Sequence, residues 1–293
     1  MATPELRADR PMQGAAIMMA AVLAFAVEDA VMKVLLTRHA VPQLLALRSA
    51  TVLVALAVVL AWRGGARAAV IPPRPLHVYG RGALIVAGMA CYFTALQDMA
   101  LADVVAIFFA APLIQASLSW PLLGEAVGWR RHLATAIGFA GVLIMVAPAG
   151  RLYGWPAALA LASAFFYAAA MVWSRALGTH AGPLQLTIAV NIIYVAVFGA
   201  ATPLVWLPPT LADGGWIVVM AALMLAGHVG LAAAYALAPV SVVAPLDYLS
   251  LPAAVGLGVL IFGDWPTWGT LAGVPLVIAS GIYVVHRARV GAT

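Results

Sequence analysis

Three ionisable side chains lie close together in the otherwise apolar segment FAVEDAVMKVL, residues 25–35. Glu28 and Asp29 are adjacent acids, and Lys33 is the only lysine of the chain. On a helix, Asp29 and Lys33 are four residues apart and share a face, which predicts a structural ion pair between them. Glu28 is turned about 100° from Asp29. It therefore needs another partner, which is a cavity water, the ammonium group of a ligand, or a proton.

The composition around these charges excludes a water-soluble domain. Of the 293 residues, 65% are hydrophobic and 9% are charged, whereas soluble domains carry about 25% charged residues. Apolar runs recur along the chain, each close to the ~20 residues that cross a bilayer as a helix. The sequence therefore predicts an all-α polytopic membrane protein. An ionised side chain in a bilayer costs at least about 2.5–3.5 kcal/mol, so the charges of residues 25–35 either serve binding or reach water at the membrane surface.

A further acid stands beside residues that interrupt helices. Asp247 lies in SVVAPLDYLSLP between Pro245 and Pro252, and prolines free backbone carbonyls where a helix faces protein or a watery cavity. We expect Asp247 to bind an amine or a proton, with a structural pairing to Arg48 or to a backbone amide as the alternative. His228 can titrate near neutral pH, and its alternative role is that of a histidine hydrogen-bonded in the core.

Aromatic side chains with polar groups offer a lining for an apolar cavity. The alternative for each of them is plain packing or a place in the aromatic belt at the membrane surface. The candidates come from four of the predicted helices and are Tyr92, Tyr167, Trp173, Tyr235 and Tyr248.

Clusters of arginine, proline and glycine divide the chain into ten predicted spans. If the N-terminus is cytoplasmic, the segments on its side hold eleven arginines and the opposite loops hold two, Arg38 and Arg151. This bias predicts that both termini are cytoplasmic. The first run is too long for a signal-peptide core and predicts a retained span. The spans are expected at 12–36, 42–62, 78–97, 101–122, 131–148, 154–174, 184–206, 215–236, 240–262 and 266–286.

Two segments half a chain apart resemble each other. They are MALADVVAIFFAAPLIQASLSWPLLGEAVGW (99–129) and YALAPVSVVAPLDYLSLPAAVGLGVLIFGDW (235–265), in which Gly263-Asp264 follows Gly124-Glu125 by 139 positions. This offset covers five spans, an odd number, so the copies have opposite orientations, as in secondary transporters with a site near mid-membrane. The predicted domains are two five-helix inverted repeats, residues 1–148 with a short cytoplasmic tail 1–11, and residues 149–293.

Four motifs carry a family resemblance: LLGEAVGW after the fourth span, AIGFAGVLIMV in the fifth, VPQLLALRSATVLVAL in the second and GWPAALALASAFFYAAAMVWSRAL in the sixth. With these motifs the chain resembles the EamA-like branch of the drug/metabolite transporter superfamily and looks closest to YddG-type amino-acid exporters. The resemblance implies a basket-like bundle of ten helices around a central cavity, without nucleotide hydrolysis. Phe25, Ala26 and Lys33 match the family's first-helix pattern, and Asp29 departs from it.

Together these observations predict a secondary transporter that exports neutral or aromatic amino acids and related metabolites across a bacterial inner membrane by alternating access. Substrate binding or coupling is expected from Glu28, Lys33, Asp247 and His228, with the aromatic side chains around them. One alternative is an exporter of lipophilic cations and other drugs. The other, of a different class, is a membrane enzyme that acts on lipid headgroups with the same carboxylates.

The remaining expectations are absences and partners. No glycine-rich loop precedes Lys33, which excludes a phosphate-binding loop of the Walker type. A single cysteine, Cys91, excludes an intrachain disulfide framework and a multi-cysteine metal site. We therefore expect no enzyme activity, no cofactor, no metal and no nucleic acid. The expected partners are a small-molecule substrate, the lipid bilayer and, as an open alternative, protons.

Overall fold

The computed structural model describes residues 10–63, 70–123, 129–146, 154–177 and 181–290, and all regular secondary structure in these ranges is helical. Each of the ten predicted segments coincides with helical residues. The predicted tail residues 1–9, the Gly124-Glu125 pair and the 148/149 domain boundary lie outside the described ranges. The α-helices are α1 Pro11–Leu36, α2 Val41–Arg63, α3 Pro75–Asp98, α4 Leu101–Phe108, α5 Ala111–Leu123, α6 Trp129–Val146, α7 Trp155–Leu177, α8 Pro183–Ala201, α9 Leu211–Leu237, α10 Val240–Val243, α11 Ser250–Leu257 and α12 Trp268–Val290.

Prolines and a capping box fix where four of these helices begin. Pro11, Pro75 and Pro183 are the first residues of α1, α3 and α8, a position where the missing N–H has no helical partner to lose. The first turn of α9 is closed by Thr210 and Asp213. The Thr210 hydroxyl accepts a hydrogen bond from the Asp213 N–H (3.2 Å), and the Asp213 carboxylate accepts one from the Thr210 N–H (2.9 Å).

Two of the predicted spans are interrupted helices. A turn at Phe109 and Ala110 separates α4 from α5. In the other span, a 3₁₀ stretch, Ala244–Leu249, lies between α10 and α11. A π-helical stretch, Gly258–Phe262, then follows α11 and ends at Gly263, whose φ of +68° favours glycine. Backbone of this kind is tolerated at membrane depth where it is buried in protein or lines a cavity.

The two interruptions meet inside the bundle. The ring of Phe109 stacks on the ring of Tyr248, with centroids 5.0 Å apart and an angle of 24° between the planes. Helix α4 also packs against α11. The irregular backbone around Tyr248 agrees with the prediction made from Pro245 and Pro252. The broken helices therefore form the centre of the structure.

The long helices pack around this centre in pairs: α1 along α9, α3 along α7, α2 along α8 and α6 along α12. Glycines permit two of these approaches. A Cβ on Gly227 of α9 would lie 2.6 Å from the ring of Phe25 in α1, and a Cβ on Gly88 of α3 would lie 3.2 Å from the carbonyl oxygen of Ser163 in α7. Small residues of this kind let helices approach closely in a membrane.

The outer surface of the bundle is apolar. Among the described residues, seven helices are long and apolar enough to cross a membrane, and two shorter apolar stretches are Leu246–Phe262 and Trp268–Ser280. Large hydrophobic side chains such as Leu23, Val229 and Leu260 are more than half exposed, which suits contact with lipid and not with water. The chain is a multi-pass, all-helical membrane protein.

The two ends of the bundle contain different segments of the chain. We call one of them the N-terminal end. It contains Arg10, whose N–H donates to the carbonyl oxygen of Leu237 at the end of α9 (3.1 Å). We call the opposite one the α1–α2 end. It contains the connections between α1 and α2, α3 and α4, α8 and α9, and α11 and α12, which are residues 37–40, 99–100, 205–210 and 263–267.

Candidate functional site

Lys33 connects three parts of the α1–α2 end. Its Nζ lies 2.7 Å from the Asp264 carboxylate and donates to the carbonyl oxygen of Met99 (2.8 Å). It also stands 4.8 Å from the ring centre of Phe262. The predicted Asp29–Lys33 ion pair is wrong, because the long lysine side chain reaches a carboxylate on the α11–α12 connection.

Asp29 has a partner from another helix. The hydroxyl of Tyr92 in α3 donates to the Asp29 carboxylate (2.8 Å). The Tyr92 ring is buried and makes edge contacts with Phe93 and Phe108, with centroids 5.3 and 5.5 Å away. Two predicted site residues, Tyr92 and Asp29, are thus brought together, and they join α1 to α3.

Glu28 forms a buried ion pair with Arg48. The Nη1 of Arg48 lies 2.6 Å from Oε1 of Glu28, and both residues are 4% exposed. The guanidinium of Arg48 stands over the rings of Phe93 and Tyr194, at 5.5 and 5.3 Å. The short α1–α2 connection places the two residues at the same height, so they face each other.

This ion pair corrects two expectations. Glu28 does not reach water at the membrane surface, because it is enclosed between α1 and α2. Arg48 is not the structural partner of Asp247, because Glu28 occupies it. The pair was missed from sequence because helical spacing identifies partners within one helix and not between two.

Polar contacts also join other elements of the α1–α2 end. The amide of Gln43 donates to the carbonyl oxygen of Leu207 (2.6 Å) and accepts from the Leu207 N–H (3.1 Å). Asp213, at the start of α9, lies 3.2 Å from Nε2 of His39 and 3.7 Å from Nη1 of Arg38. The connection between α1 and α2 is thereby attached to the connection between α8 and α9.

Asp103 attaches α4 to the last connection of the same end. Its carboxylate accepts a hydrogen bond from the hydroxyl of Thr270 and one from the N–H of Thr267 (3.3 Å). Asp103 is buried, so these donors satisfy a carboxylate that is out of contact with water. Together with Lys33 and Asp264, this contact ties α1, α4 and α12 at one level.

Asp247 has a different environment. It is half-buried in the 3₁₀ stretch Ala244–Leu249, and its carboxylate has no ion-pair partner in the part of the chain that the structure describes. The side chains of Tyr167, Tyr235 and Tyr248 lie within electrostatic range of this carboxylate. Four of the predicted site residues are therefore grouped around the interrupted span.

Aromatic contacts connect this group to the Asp29–Tyr92 pair. The ring of Phe108 lies 5.5 Å from the ring of Tyr92 on one side and 5.2 Å from the ring of Tyr167 on the other. Offset and tilted contacts at such distances are favourable for aromatic rings. A chain of contacting aromatic rings thus runs from Tyr92 to Tyr167.

Arg81 is a functional candidate that sequence reasoning did not single out. Its Nε donates to the hydroxyl of Ser174 in α7, and its guanidinium lies within electrostatic range of the Tyr167 hydroxyl. The charge bias of the sequence places Arg81 among the arginines on the cytoplasmic side. The sequence contained one signal for this role. Pro75 indicates where the helix begins, so Arg81 lies in its second turn and not in the loop before it.

The last two candidates lie on the flanks of the bundle. His228 has Nδ1 2.8 Å from the carbonyl oxygen of Met224 and contacts the ring of Phe25 edge-on at 5.1 Å. Trp173 is partly exposed and contacts the ring of His77 at 6.3 Å. Within the described ranges, no group of three or more histidine, cysteine or acidic side chains is placed to hold a metal ion.

Comparison with known proteins agrees with this architecture. Residues 12–147 match the EamA-like transporter family. Over this first half the chain therefore resembles the EamA-like transporter family. It is 26% identical to a riboflavin transporter of Rhizobium johnstonii over 71% of this chain and 69% of that one. It is 23% identical to an S-adenosylmethionine uptake transporter of Rickettsia bellii over 74% of each chain.

Two further matches agree with this assignment. A pseudopaline exporter of Pseudomonas aeruginosa is 26% identical over 72% of this EamA-like chain and 75% of its own length. A solved crystal structure, 21% identical, superposes with a TM-score of 0.60 over 95% of this chain and 98% of that one, which shows a common fold. The predicted family resemblance is confirmed. Because the family and these relatives are transporters, the prediction that the chain is no enzyme is also confirmed, and the lipid-headgroup enzyme is set aside.

Proposed function

We propose that this EamA-like protein exports neutral and aromatic amino acids and related small metabolites across the bacterial inner membrane by alternating access. The observation that carries this proposal is Asp247, a half-buried carboxylate in an interrupted helix, without an ion-pair partner among the described residues and within electrostatic range of three tyrosines. The carboxylate suits an ammonium group, and the rings suit an apolar or aromatic side chain.

The relatives support a solute of this general kind. Riboflavin, named for one relative, is a flat aromatic compound, and S-adenosylmethionine, named for another, joins an aromatic base to an amino-acid group. The relatives include uptake transporters and an exporter. The outward direction is therefore our own proposal for this chain.

An inverted repeat of two five-helix halves is supported by contacts between equivalent positions. Phe109 and Tyr248 are 139 positions apart, the offset of the two Gly-acid pairs, and their rings stack on each other. A residue that touches its own counterpart lies beside the axis that relates the repeats. Gly88 and Gly227 are also 139 positions apart, and they occupy corresponding crossings, α3 with α7 and α9 with α1.

This axis supports the location of the binding site. In transporters built from inverted repeats, substrates bind near mid-membrane, where discontinuous helices of the two repeats meet. Here the stacked pair joins the interruptions of the two broken spans, and Asp247 directly precedes Tyr248 in sequence. We therefore propose the division into residues 1–148 and 149–293 with Asp247 at the interface of the repeats.

The polar contacts of the α1–α2 end support alternating access. Lys33–Asp264, Asp103–Thr270 and Gln43–Leu207 close that end of the bundle. With the arginine bias, both termini are cytoplasmic and the closed end is periplasmic. In this arrangement the site is reached from the cytoplasm, and export requires these contacts to open after the solute has bound.

The roles of the candidate residues follow from these positions. We propose that Asp247 binds the substrate ammonium or a coupling proton, and that Tyr92, Tyr167, Tyr235 and Tyr248 line the solute path. Glu28, Asp29 and Lys33 are best supported as residues that hold helices together. Binding roles for His228 and Trp173 stay predictions.

The test is transport by purified protein in liposomes, with a panel of radiolabelled amino acids in the presence and absence of a pH gradient. We expect uptake of several neutral or aromatic amino acids, lost in Asp247→Asn and retained in the matched control Asp98→Asn, since Asp98 is exposed at the end of α3. Stimulation by the pH gradient would assign proton coupling. Transport of none of these amino acids overturns the proposal.

Export of lipophilic cations is the second candidate, because an acid surrounded by tyrosine rings also suits an organic cation. The same liposomes distinguish the two functions. A lipophilic cation that accumulates while no amino acid moves would favour the drug exporter. Movement of amino acids that a tenfold excess of such a cation leaves unchanged would exclude it.

A further inference from the structure

A basic group, Arg81, shares a neighbour with Asp247, because both lie within electrostatic range of the Tyr167 hydroxyl. Arg81 lies on the second turn of α3, and Ser174, which accepts a hydrogen bond from its Nε, lies on the last turn of α7. Both positions belong to the half of the bundle at the N-terminal end. His77, one turn before Arg81, contacts Trp173 of α7, so both His77 and Arg81 of α3 lie along its contact with α7.

The guanidinium of Arg81 is anchored and still has capacity to bind. Ser174 occupies its Nε, whereas the two Nη groups have no hydrogen-bonding partner within the described part of the chain. Also within that part, no carboxylate lies at ion-pair distance from Arg81. An arginine inside a membrane-spanning helix without an ion-pair partner is by default a candidate functional position.

Tyr167 stands between this cation and the acid. Its hydroxyl lies within electrostatic range of both Arg81 and Asp247. Tyr167 therefore has one neighbour of each sign, and Tyr235 and Tyr248 lie within electrostatic range of the acidic one. A solute with an ammonium and a carboxylate matches this pattern, because each charge meets its opposite.

We propose that Arg81 is a specificity-determining residue that binds the carboxylate of the transported solute, opposite Asp247, and so selects amino-acid-like zwitterions over organic cations. The proposal rests on the proposed function. The planar guanidinium, held through Nε by Ser174, presents both Nη groups to a carboxylate as a fixed fork. The same positive charge repels an organic cation that Asp247 alone would accept.

The test uses three solutes that share one phenyl ring. Phenylalanine has both charges, phenethylamine has only the ammonium and 3-phenylpropionate has only the carboxylate. Binding is measured as displacement of radiolabelled phenylalanine from purified protein, and transport is measured in liposomes. The variants are Arg81→Gln, Arg81→Lys and Asp247→Asn. The control is Arg74→Gln, which removes an exposed arginine just before the start of α3.

We expect Arg81→Gln to weaken phenylalanine binding by about tenfold or more, as for loss of a charge-assisted hydrogen bond, and to leave phenethylamine binding unchanged or improved. Arg81→Lys should restore part of the loss because it keeps the charge. Asp247→Asn should weaken the binding of phenylalanine and phenethylamine and leave the binding of 3-phenylpropionate unchanged. Arg74→Gln should bind all three as the unmodified protein does.

Two results would overturn the assignment of Arg81. One is an equal loss of all three solutes in Arg81→Gln with an unchanged melting temperature, which would show that Arg81 does not recognise the solute carboxylate. The other is unchanged phenylalanine binding in that variant. In both cases the unmodified protein still transports phenylalanine, so the proposed function survives. If the unmodified protein moves none of the three solutes, the proposed function fails and this inference fails with it.

Discussion

The two ends of the bundle use their charged residues in opposite ways. At the α1–α2 end, Lys33 is paired with Asp264, and Asp213 lies against His39 and Arg38. Toward the N-terminal end, Asp247 and Arg81 lie beside tyrosines without ion-pair partners among the described residues.

This difference separates charged groups that already have a partner in the protein from charged groups that can still bind a solute. A charge in a membrane protein is costly unless it is paired, hydrated or functional, so the paired charges of one end account for closure. We propose that the charges without ion-pair partners among the described residues, Asp247 and Arg81, bind the solute. Position in a helix alone did not separate these classes, because Glu28 and Asp247 both look like binding acids in the sequence. Among the described residues, only Glu28 of the two has an ion-pair partner.

The largest effect is expected from breaking the buried pair in the closed half. Arg48→Ala leaves Glu28 buried without a partner and should lower the free energy of unfolding by about 3–5 kcal/mol. The measurement is a denaturation curve in detergent. The double variant Glu28→Leu/Arg48→Leu removes both charges and should recover most of this loss. If Arg48→Ala were as stable as the unmodified protein, the pair would not hold α1 to α2.

The next effect concerns the close approach of α1 and α9. Gly227→Ala places a methyl group against the ring of Phe25 and should cost about 1–3 kcal/mol through overpacking. Its matched control is Gly214→Ala, where a Cβ meets nothing within 4 Å. Addition of Phe25→Leu should relieve the clash. Equal stabilities of the two alanine variants would contradict the described crossing.

A smaller effect is expected from opening the closed end itself. With Cys91→Ser as background, Tyr248→Cys reports access from the α1–α2 side to an impermeant thiol reagent. Lys33→Ala should raise its labelling rate by about three- to tenfold, because it shifts the population toward the open form. The charge swap Lys33→Asp/Asp264→Lys should restore slow labelling. A rate that Lys33→Ala leaves unchanged would show that this pair does not keep the end closed.

The smallest effect is local to the start of α9. Thr210→Ala removes the hydroxyl that accepts from the Asp213 N–H and should cost about 1 kcal/mol, the usual loss of an N-cap. Because Asp213 also contacts the α1–α2 connection, the variant should destabilise only the α1–α2 end and leave the N-terminal end unchanged. Hydrogen exchange should increase in residues 205–215 and stay unchanged around Asp247.

Much of the fold was predictable because a bilayer imposes a simple pattern. Apolar runs and their arginine, proline and glycine boundaries gave segments that coincide with the described helices, and Pro245 and Pro252 indicated an interrupted span. The spacing of 139 positions came from two Gly-acid pairs, and it also relates Phe109 to Tyr248, which stack. The two-repeat division stays a prediction.

The partners of the charged groups were less accessible from sequence. Lys33 and Asp264 are 231 positions apart, and helical periodicity compares only residues within one helix, so it favoured Asp29. Arg81 was counted with the loop arginines, because an arginine near the boundary of a span most often determines the orientation of the protein in the membrane. In both cases the missing information was the packing of helices that are distant in sequence.

If the α1–α2 end opens during transport, a covalent bridge across that end should stop transport. Lys33→Cys/Asp264→Cys, in the Cys91→Ser background, places two thiols across the closure, to be bridged by a short bifunctional thiol reagent that reducing agent cleaves. We predict that bridging reduces phenylalanine transport in liposomes to background and that reduction restores it. Undiminished transport by fully bridged protein would contradict the account.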